Sequence, residues 1–287
     1  MKIILTIAAL VMAATVAPAS TILNDNFSYA DGSLTNVSGG KWSNHSGTVG
    51  QVDVVTGRLF LTEAESEDVN ALLTGQPYTA AGGATLYSSF TINFSALPSG
   101  TGAYFAHFKD PTTGFRGRVF ASTTNAAPNS FRLGIGNSSN ASATSGQLAG
   151  DLSLNTTYTV VTRYNLGTGL STIWLNPLSE SSPSATASDA PGPIDITAYA
   201  FRQSLATGNG MGSLFVDDLK IGTSFADVAP IPEPAIYGLL GLGMAAFLAR
   251  RTLFSFPGRI ERSKAEQESS LKHPDPRLVF SDRMELT

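Results

Sequence analysis

Three observations predict an all-β fold of two packed antiparallel sheets for the central part of the chain. Glycine (28), proline (15) and abundant Ser, Thr and Asn supply turns at short intervals, the composition of a strand-rich protein. Between residues 21 and 227, short runs of β-formers are separated by clusters of Gly, Pro, Asn, Asp and Ser. Alternation at period two, as in Phe131/Leu133/Ile135 and Tyr158/Val160/Thr162/Tyr164, buries one face of a strand and leaves the other wet. Ten candidate strands in one domain imply two stacked layers.

The elements follow in order. Residues 1–19 read as a secretory signal peptide: Lys2, an uncharged apolar run from Ile3 to Val16, then Ala17-Pro18-Ala19. Small residues at Ala17 and Ala19 stand where a signal peptidase inspects the chain, so cleavage after Ala19 is expected. The apolar run is shorter than the roughly 17–25 residues of a spanning helix. A single sandwich domain over 20–228 holds candidate strands 49–55, 58–62, 86–94, 103–108, 116–121, 131–136, 158–164, 170–175, 196–203 and 214–221. Residues 165–169 (NLGTG) form a hairpin loop between two of them. A segment over 229–251 follows, in which Ile231-Pro232-Glu233-Pro234 precedes an uncharged stretch, 235–249, and then Arg250-Arg251. Proline fits the first turn of a helix, and the paired arginines hold the end of a short transmembrane helix on the cytoplasmic side. Residues 252–287 are a charged basic tail without sustained period, expected to be disordered.

Charge and cysteine content exclude several classes. Residues 20–234 carry 16 acidic and 9 basic side chains, a net of −7, whereas a nucleic-acid partner demands a basic face. Beyond residue 249 the balance turns to 8 basic against 6 acidic, which suggests a different compartment. Cysteine is absent from the sequence, so disulfides, thiolate metal sites and a Cys nucleophile are excluded.

Candidate chemistry is sparse. Glu63, Glu65 and Glu67 would share a face if they lay on a strand, but their small and polar neighbours read as a solvated loop. A hydrolase would need paired carboxylates about 5–9 Å apart in a cleft, with Glu63, Glu65 or Asp110 as one member. Asp217 alternates with Phe215, Leu219 and Ile221, which directs one carboxylate towards the core unless a bulge intervenes. Backbone amides or Arg163 would satisfy it there. Asp25, Asp217 and Asp218 are the candidate Ca²⁺ ligands, with Asp31 in reserve; no other cofactor is expected. His45 and His107 accompany no catalytic motif and read as loop or surface residues. Trp42 and Trp174, with Tyr104 and Phe115, are candidates for stacking on a sugar, although aromatic residues of a sandwich are more often core.

Two resemblances add to this reading. The order Pro232-Glu233-Pro234, apolar helix, Arg250-Arg251 resembles the PEP-CTERM sorting signal of Gram-negative bacteria that make exopolysaccharide, although the chain continues past the arginines. The resemblance implies recognition by an exosortase, a membrane protease, with Glu233 a feature of the substrate and not a catalyst. It also implies passage across the inner membrane, a membrane-anchored intermediate, and a final place at the cell surface or in the biofilm matrix. The opening DNFSY (25–29), the middle YTVVTRYNLGTGLSTIWLNP (158–177) and the closing FVDDLKIGTSFADV (215–228) resemble laminin-G or concanavalin A-like jelly rolls, which pair their first and last strands. The expected role is a non-catalytic surface or matrix module that binds glycan or exopolysaccharide. The alternative is a secreted polysaccharide hydrolase or lyase on the same jelly-roll fold.

Overall fold

The computed structural model describes residues 20–204 and 207–229. The signal peptide with Ala17 and Ala19, the sorting residues Pro232, Glu233, Pro234, Arg250 and Arg251, the 235–249 helix and the 252–287 tail lie outside these residues. Among the described residues no helix is long and apolar enough to cross a membrane.

In chain order the strands are β1 (Thr21–Asp25), β2 (Gly32–Ser33), β3 (Ser43–Ser46), β4 (Asp53–Val55), β5 (Arg58–Thr62), β6 (Asp68–Leu72), β7 (Thr85–Ala96), β8 (Ala103–Lys109), β9 (Phe115–Ser122), β10 (Ser130–Gly136), β11 (Leu152–Ser153), β12 (Thr157–Asn165), β13 (Leu170–Leu175), β14 (Ser184–Thr186), β15 (Ala198–Arg202) and β16 (Ser213–Gly222). One-turn helices α1 (Leu34–Val37) and α2 (Phe225–Val228) and a 3-10 turn over Ala80–Gly82 complete the set. A nine-stranded sheet runs β14-β13-β12-β7-β16-β5-β4-β2, with β1 also paired to β16, and a seven-stranded sheet runs β11-β10-β9-β8-β15-β6-β3. The all-β, two-sheet antiparallel expectation is met. The hairpin over 165–169 is present, closed by the Gly169 N–H donating to the Asn165 carbonyl at 2.8 Å.

Strand β16 organises the larger sheet. Along one edge β5 pairs with its first half and β1 with its second, so the first and last strands meet at Leu23↔Ile221 and Asp25↔Leu219. On the other edge Asp217 faces Thr91 while Lys220 faces Ser89, so β16 carries one extra residue there. That residue is accommodated by Asp218 in the left-handed region at φ 53°, the signature of a β-bulge. The bulge shifts the phase of alternation: Leu214 and Val216 point inward before it, Leu219 and Ile221 after it. Asp217 therefore stays on the outer face with Phe215, the bulge being the one circumstance in which the alternation does not send it inward.

The core between the sheets is rich in aromatic side chains. Phe90 meets Phe105 and Phe201 edge-on at 6.3 and 5.8 Å, and Phe94 lies 4.3 Å from Phe131; such pairs add about 0.5–1.5 kcal/mol each beyond burial. Ser88, Thr162 and Tyr199 place hydroxyls within the core: Ser88 bonds Thr162 on the neighbouring strand at 2.6 Å and Tyr199 of the opposite sheet at 3.2 Å. Burial pushes the Tyr199 phenol well above its ordinary pKa. A smaller apolar cluster of Tyr87, Val161, Trp174 and Val228, with Phe225 against it, lies where α2 packs on β7. Ser224 and Asp227 close a capping box on α2, and Asp227 also accepts from the Ser20 N–H at 3.1 Å. The two ends of the domain are thus tied together.

Candidate functional site

The junction of β1 and β16 gathers three of the acids singled out in the sequence. Asp25 ends β1 and is 6% exposed. Its Oδ1 accepts from the Phe27 N–H at 2.8 Å; its Oδ2 accepts from the Tyr29 hydroxyl at 2.7 Å and the Trp42 indole at 2.8 Å. The Lys41 ammonium stands 3.1 Å from the same carboxylate and donates to the Asn24 carbonyl. Burial first, then the hydrogen bond to Asp25 and its charge, push the Tyr29 phenol far above its usual pKa. Asp25, Asn26, Tyr29, Lys41, Asp218 and Lys220 line a cleft of about 300 Å³. A second hollow, of about 210 Å³, is lined by Arg58, Asn93, Phe215, Asp217 and Asp218. Asp217 accepts from the Asp218 N–H at 2.8 Å. Its carboxyl is pushed up by burial and by the charges of Asp218 and Asp25, against the pull of Arg58. Among the described residues no group of three or more His, Cys, Asp or Glu side chains is placed to hold a metal ion.

Several sequence expectations need correction. Trp42 and Trp174 cannot stack on a ligand, being 1% and 2% exposed. Trp42 packs against Phe27 and Phe201 while its N–H serves Asp25, and Trp174 lies against Phe225 with its N–H on the Glu180 carbonyl. Arg163 pairs with Glu180 at 2.8 Å instead of with Asp217, because it stands opposite Tyr87 whereas Asp217 stands opposite Thr91, four residues further along β7. Asp31 accepts from the Thr56 N–H at 2.7 Å.

The acidic stretch is not a solvated loop throughout. Glu67 is fully buried and its Oε2 accepts from the Gln51 and Val52 N–H groups at 2.7 and 2.6 Å. The expected strand over 49–55 shrinks to β4 for the same reason: the backbone before Asp53 takes its acceptor from this carboxylate and not from a ladder. Glu63 accepts from the Gly212 N–H at 2.6 Å, and Asp110 closes its own loop by accepting from the Thr112 and Gly114 N–H groups at 2.7 and 2.8 Å. Glu65 and, from β4, Asp53 are half-buried: burial raises both, and neighbouring acid charge adds to it.

The histidines depart furthest from the expectation of loop or surface residues. His107 lies on β8 at 0% exposure, and His45 on β3 is half-buried. Their rings stand 6.1 Å apart, with Phe115 4.3 Å from His107 and Tyr104 5.5 Å from it. Two register irregularities in β8, between Tyr104 and Phe108, break the alternation that would have exposed this pattern in the sequence. His107 pairs in register with Ala200, whose neighbours Tyr199 and Phe201 are core. It therefore faces away from the sandwich interior, covered by the surrounding rings.

Residues 230–251 match the PEP-CTERM protein-sorting motif. The chain carries that motif, the mark of an exported protein sorted through its C-terminal end. No curated protein sequence matches the chain. Among solved structures it is similar to lectin II from Ulex europaeus, at 17% identity and a TM-score of 0.42 over 71% of this chain and 99% of that one. Lectin I-B4 from Griffonia simplicifolia is similar at 11% identity and 0.41, over 64% and 92%. A sialidase is similar at 12% identity and 0.41, over 71% of this chain but only 19% of its own length.

Proposed function

We propose that the chain is an exported surface or extracellular-matrix protein, processed by an exosortase and serving as a non-catalytic, glycan-associated module. The observation that carries this is the sorting motif from residue 230, which follows directly on α2, the last element of the sandwich. Pro232, Glu233 and Pro234 are then the features an exosortase recognises, and the sandwich is the cargo.

The engagement of Glu63, Glu67 and Asp110 with backbone N–H groups supports a non-catalytic role, since a catalytic acid must be free to take and give a proton. Calcium suits the β1/β16 junction poorly. Ca²⁺ requires six to eight oxygen ligands, whereas Asp25 already accepts three hydrogen bonds and sits beside the Lys41 ammonium. A hydrolase on the same fold would rest on Glu65 and Asp53, whose carboxyls are both pushed up; release of reducing ends from a polysaccharide, lost in Glu65→Gln, is the result that would establish it.

The sorting assignment is tested by expressing the full chain in a Gram-negative host with and without its exosortase and following size and fractionation by immunoblot. The wild type should shorten and leave the membrane only when exosortase is present, while Pro232→Ala/Glu233→Ala/Pro234→Ala should persist at full length. Equal processing of the two would overturn the assignment.

A further inference from the structure

The outer face of the seven-stranded sheet holds a group of polar atoms that the protein itself does not satisfy. Both ring nitrogens of His107, Nε2 of His45, Nε of Arg118 and Oδ1 of Asp68 are buried without a hydrogen-bond partner. They belong to one cluster. Arg118 lies over the Tyr104 and Phe115 rings at 5.3 and 5.4 Å, and Arg202 over Tyr104 at 4.3 Å. Arg202 also stands 3.8 Å from Asp68. The Arg118 guanidinium is held by the carbonyls of Asn137 and Ser138 through Nη1, and its Nε finds no acceptor.

Each unanswered buried polar atom costs about 1–3 kcal/mol, and an apolar side chain of similar shape would avoid that cost. The set therefore has the character of a site kept for a ligand. Its chemistry is specific. A neutral imidazole offers one donor and one acceptor, Arg118 Nε adds a donor and Asp68 Oδ1 an acceptor, a mixture that matches the hydroxyls of a sugar. Tyr104, Phe115 and His45 are the half-buried rim, the first two carrying the guanidinium groups of Arg118 and Arg202 on their faces. The charge is also particular. Residues 20–234 are net −7, yet the charged groups that act on His107 are Arg118, Arg202 and Lys109, while the acids lie behind them, Asp68 beside Arg202, Asp110 beside Lys109 and Asp189 beside Arg118. A local positive island on an acidic domain selects an anion.

We propose that the face around His107 binds an anionic sugar residue of a polysaccharide, a uronate or a sulfated sugar, the half-buried rings of Tyr104, Phe115 and His45 parting to bring it to His107, which is shut off from solvent beneath them. This rests on the glycan-associated reading above and gives it a place and a ligand class.

Calorimetric titration of the full chain, held in a non-ionic detergent without sugar head groups, tests it with three polymers: alginate, dextran sulfate and neutral dextran. Alginate or dextran sulfate should bind in a salt-sensitive manner, the difference between them identifying carboxylate or sulfate, and dextran should not. His107→Phe and His45→Phe should each weaken that binding about tenfold or more, the loss of one or two buried hydrogen bonds, while thermal unfolding of His107→Phe occurs no lower than in the wild type. If both variants bind the anionic polymer as the wild type does, the site is wrong though the glycan-associated role stands. If none of the three polymers binds the wild type, that role falls with it.

Discussion

Replacing Asp25 by alanine removes, in one change, the acceptor of three donors: the Phe27 N–H, the Tyr29 hydroxyl and the Trp42 indole. Phe27 and Trp42 are shut away from water, so their N–H groups would be left unpaired at about 1–3 kcal/mol each. Tyr29 is half-buried and recovers part of its loss from water. Lys41, with 35% of its side chain exposed, rehydrates at little cost. The expected destabilisation is roughly 3–5 kcal/mol, within the range for stripping a buried carboxylate from its partners. At about 2–4 °C per kcal/mol for a domain of this size, Tm should fall by roughly 6–20 °C. Asp25→Asn, which keeps one acceptor oxygen, should lose less than half as much. Differential scanning calorimetry of the full chain with added calcium and with chelator gives both numbers, and calcium should leave Tm unchanged. A loss under about 1 kcal/mol would refute the hub, because so small a change means the donors find other partners. A calcium-dependent rise of the wild-type Tm that disappears in Asp25→Ala would refute it differently, by making the carboxylate a metal ligand; saturation at a hundred times Kd would stabilise by about 2.7 kcal/mol.

Gly47 sits at φ +76°, and a Cβ there would lie 1.8 Å from the Ser66 carbonyl oxygen, so Gly47→Ala should destabilise by about 3 kcal/mol or more in urea unfolding, from backbone strain and displacement together. Glu67→Ala strands the Gln51 and Val52 N–H groups and should cost about 3–5 kcal/mol in the same assay. The pH profile has a definite sign. His45 is lowered to about 4, and His107 well below its ordinary 6.5, both by burial first and then by neighbouring cationic side chains. The unfolded chain therefore binds more protons, and this contribution is whole above pH 6.5 and lost as pH falls towards 4. Asp68, raised to about 6 by burial, acts in the opposite direction, its contribution disappearing as pH rises from 3.8 through 6. Asp53, Glu65 and Asp217, also raised, act with Asp68, so the histidines are read by difference: between pH 4 and 6.5 the Tm of the wild type should rise more steeply, or fall less, than that of His107→Phe, and equal slopes would contradict the assignment.

What the sequence disclosed depended on whether alternation ran unbroken. The strand over 58–62 and the hairpin from 158 to 175 are legible because their apolar residues keep one phase from end to end. Strand β6 escaped notice because it begins with a buried acid, Asp68, directly after another, Glu67, and buried acids are invisible to a hydrophobic pattern. In β16 a single bulge reversed the assignment of Asp217, and only a left-handed Asp218 discloses it. The nearness of Asp25 and Asp218 was foreseeable from the pairing of first and last strands. Their partners were not, since Tyr29, Lys41 and Trp42 reach Asp25 through a turn that no periodicity describes.

The two polar centres differ in how the chain answers them, and this difference separates structure from function. At the β1/β16 junction each buried oxygen of Asp25 meets a donor, as do both oxygens of Glu67, through Asn44 on one and backbone N–H groups on the other. Satisfied networks of this kind rigidify a fold, and truncating them should only destabilise. Around His107 the reverse holds: the imidazole is enclosed by aromatic rings and cationic side chains that give it no partner. Replacing it by phenylalanine removes two unanswered nitrogens and keeps the ring contacts, so that variant should be at least as stable as the parent. Opposite signs for Asp25→Ala and His107→Phe would mark the first centre as a device for closing the sandwich and the second as a place where stability is withheld for the sake of a ligand.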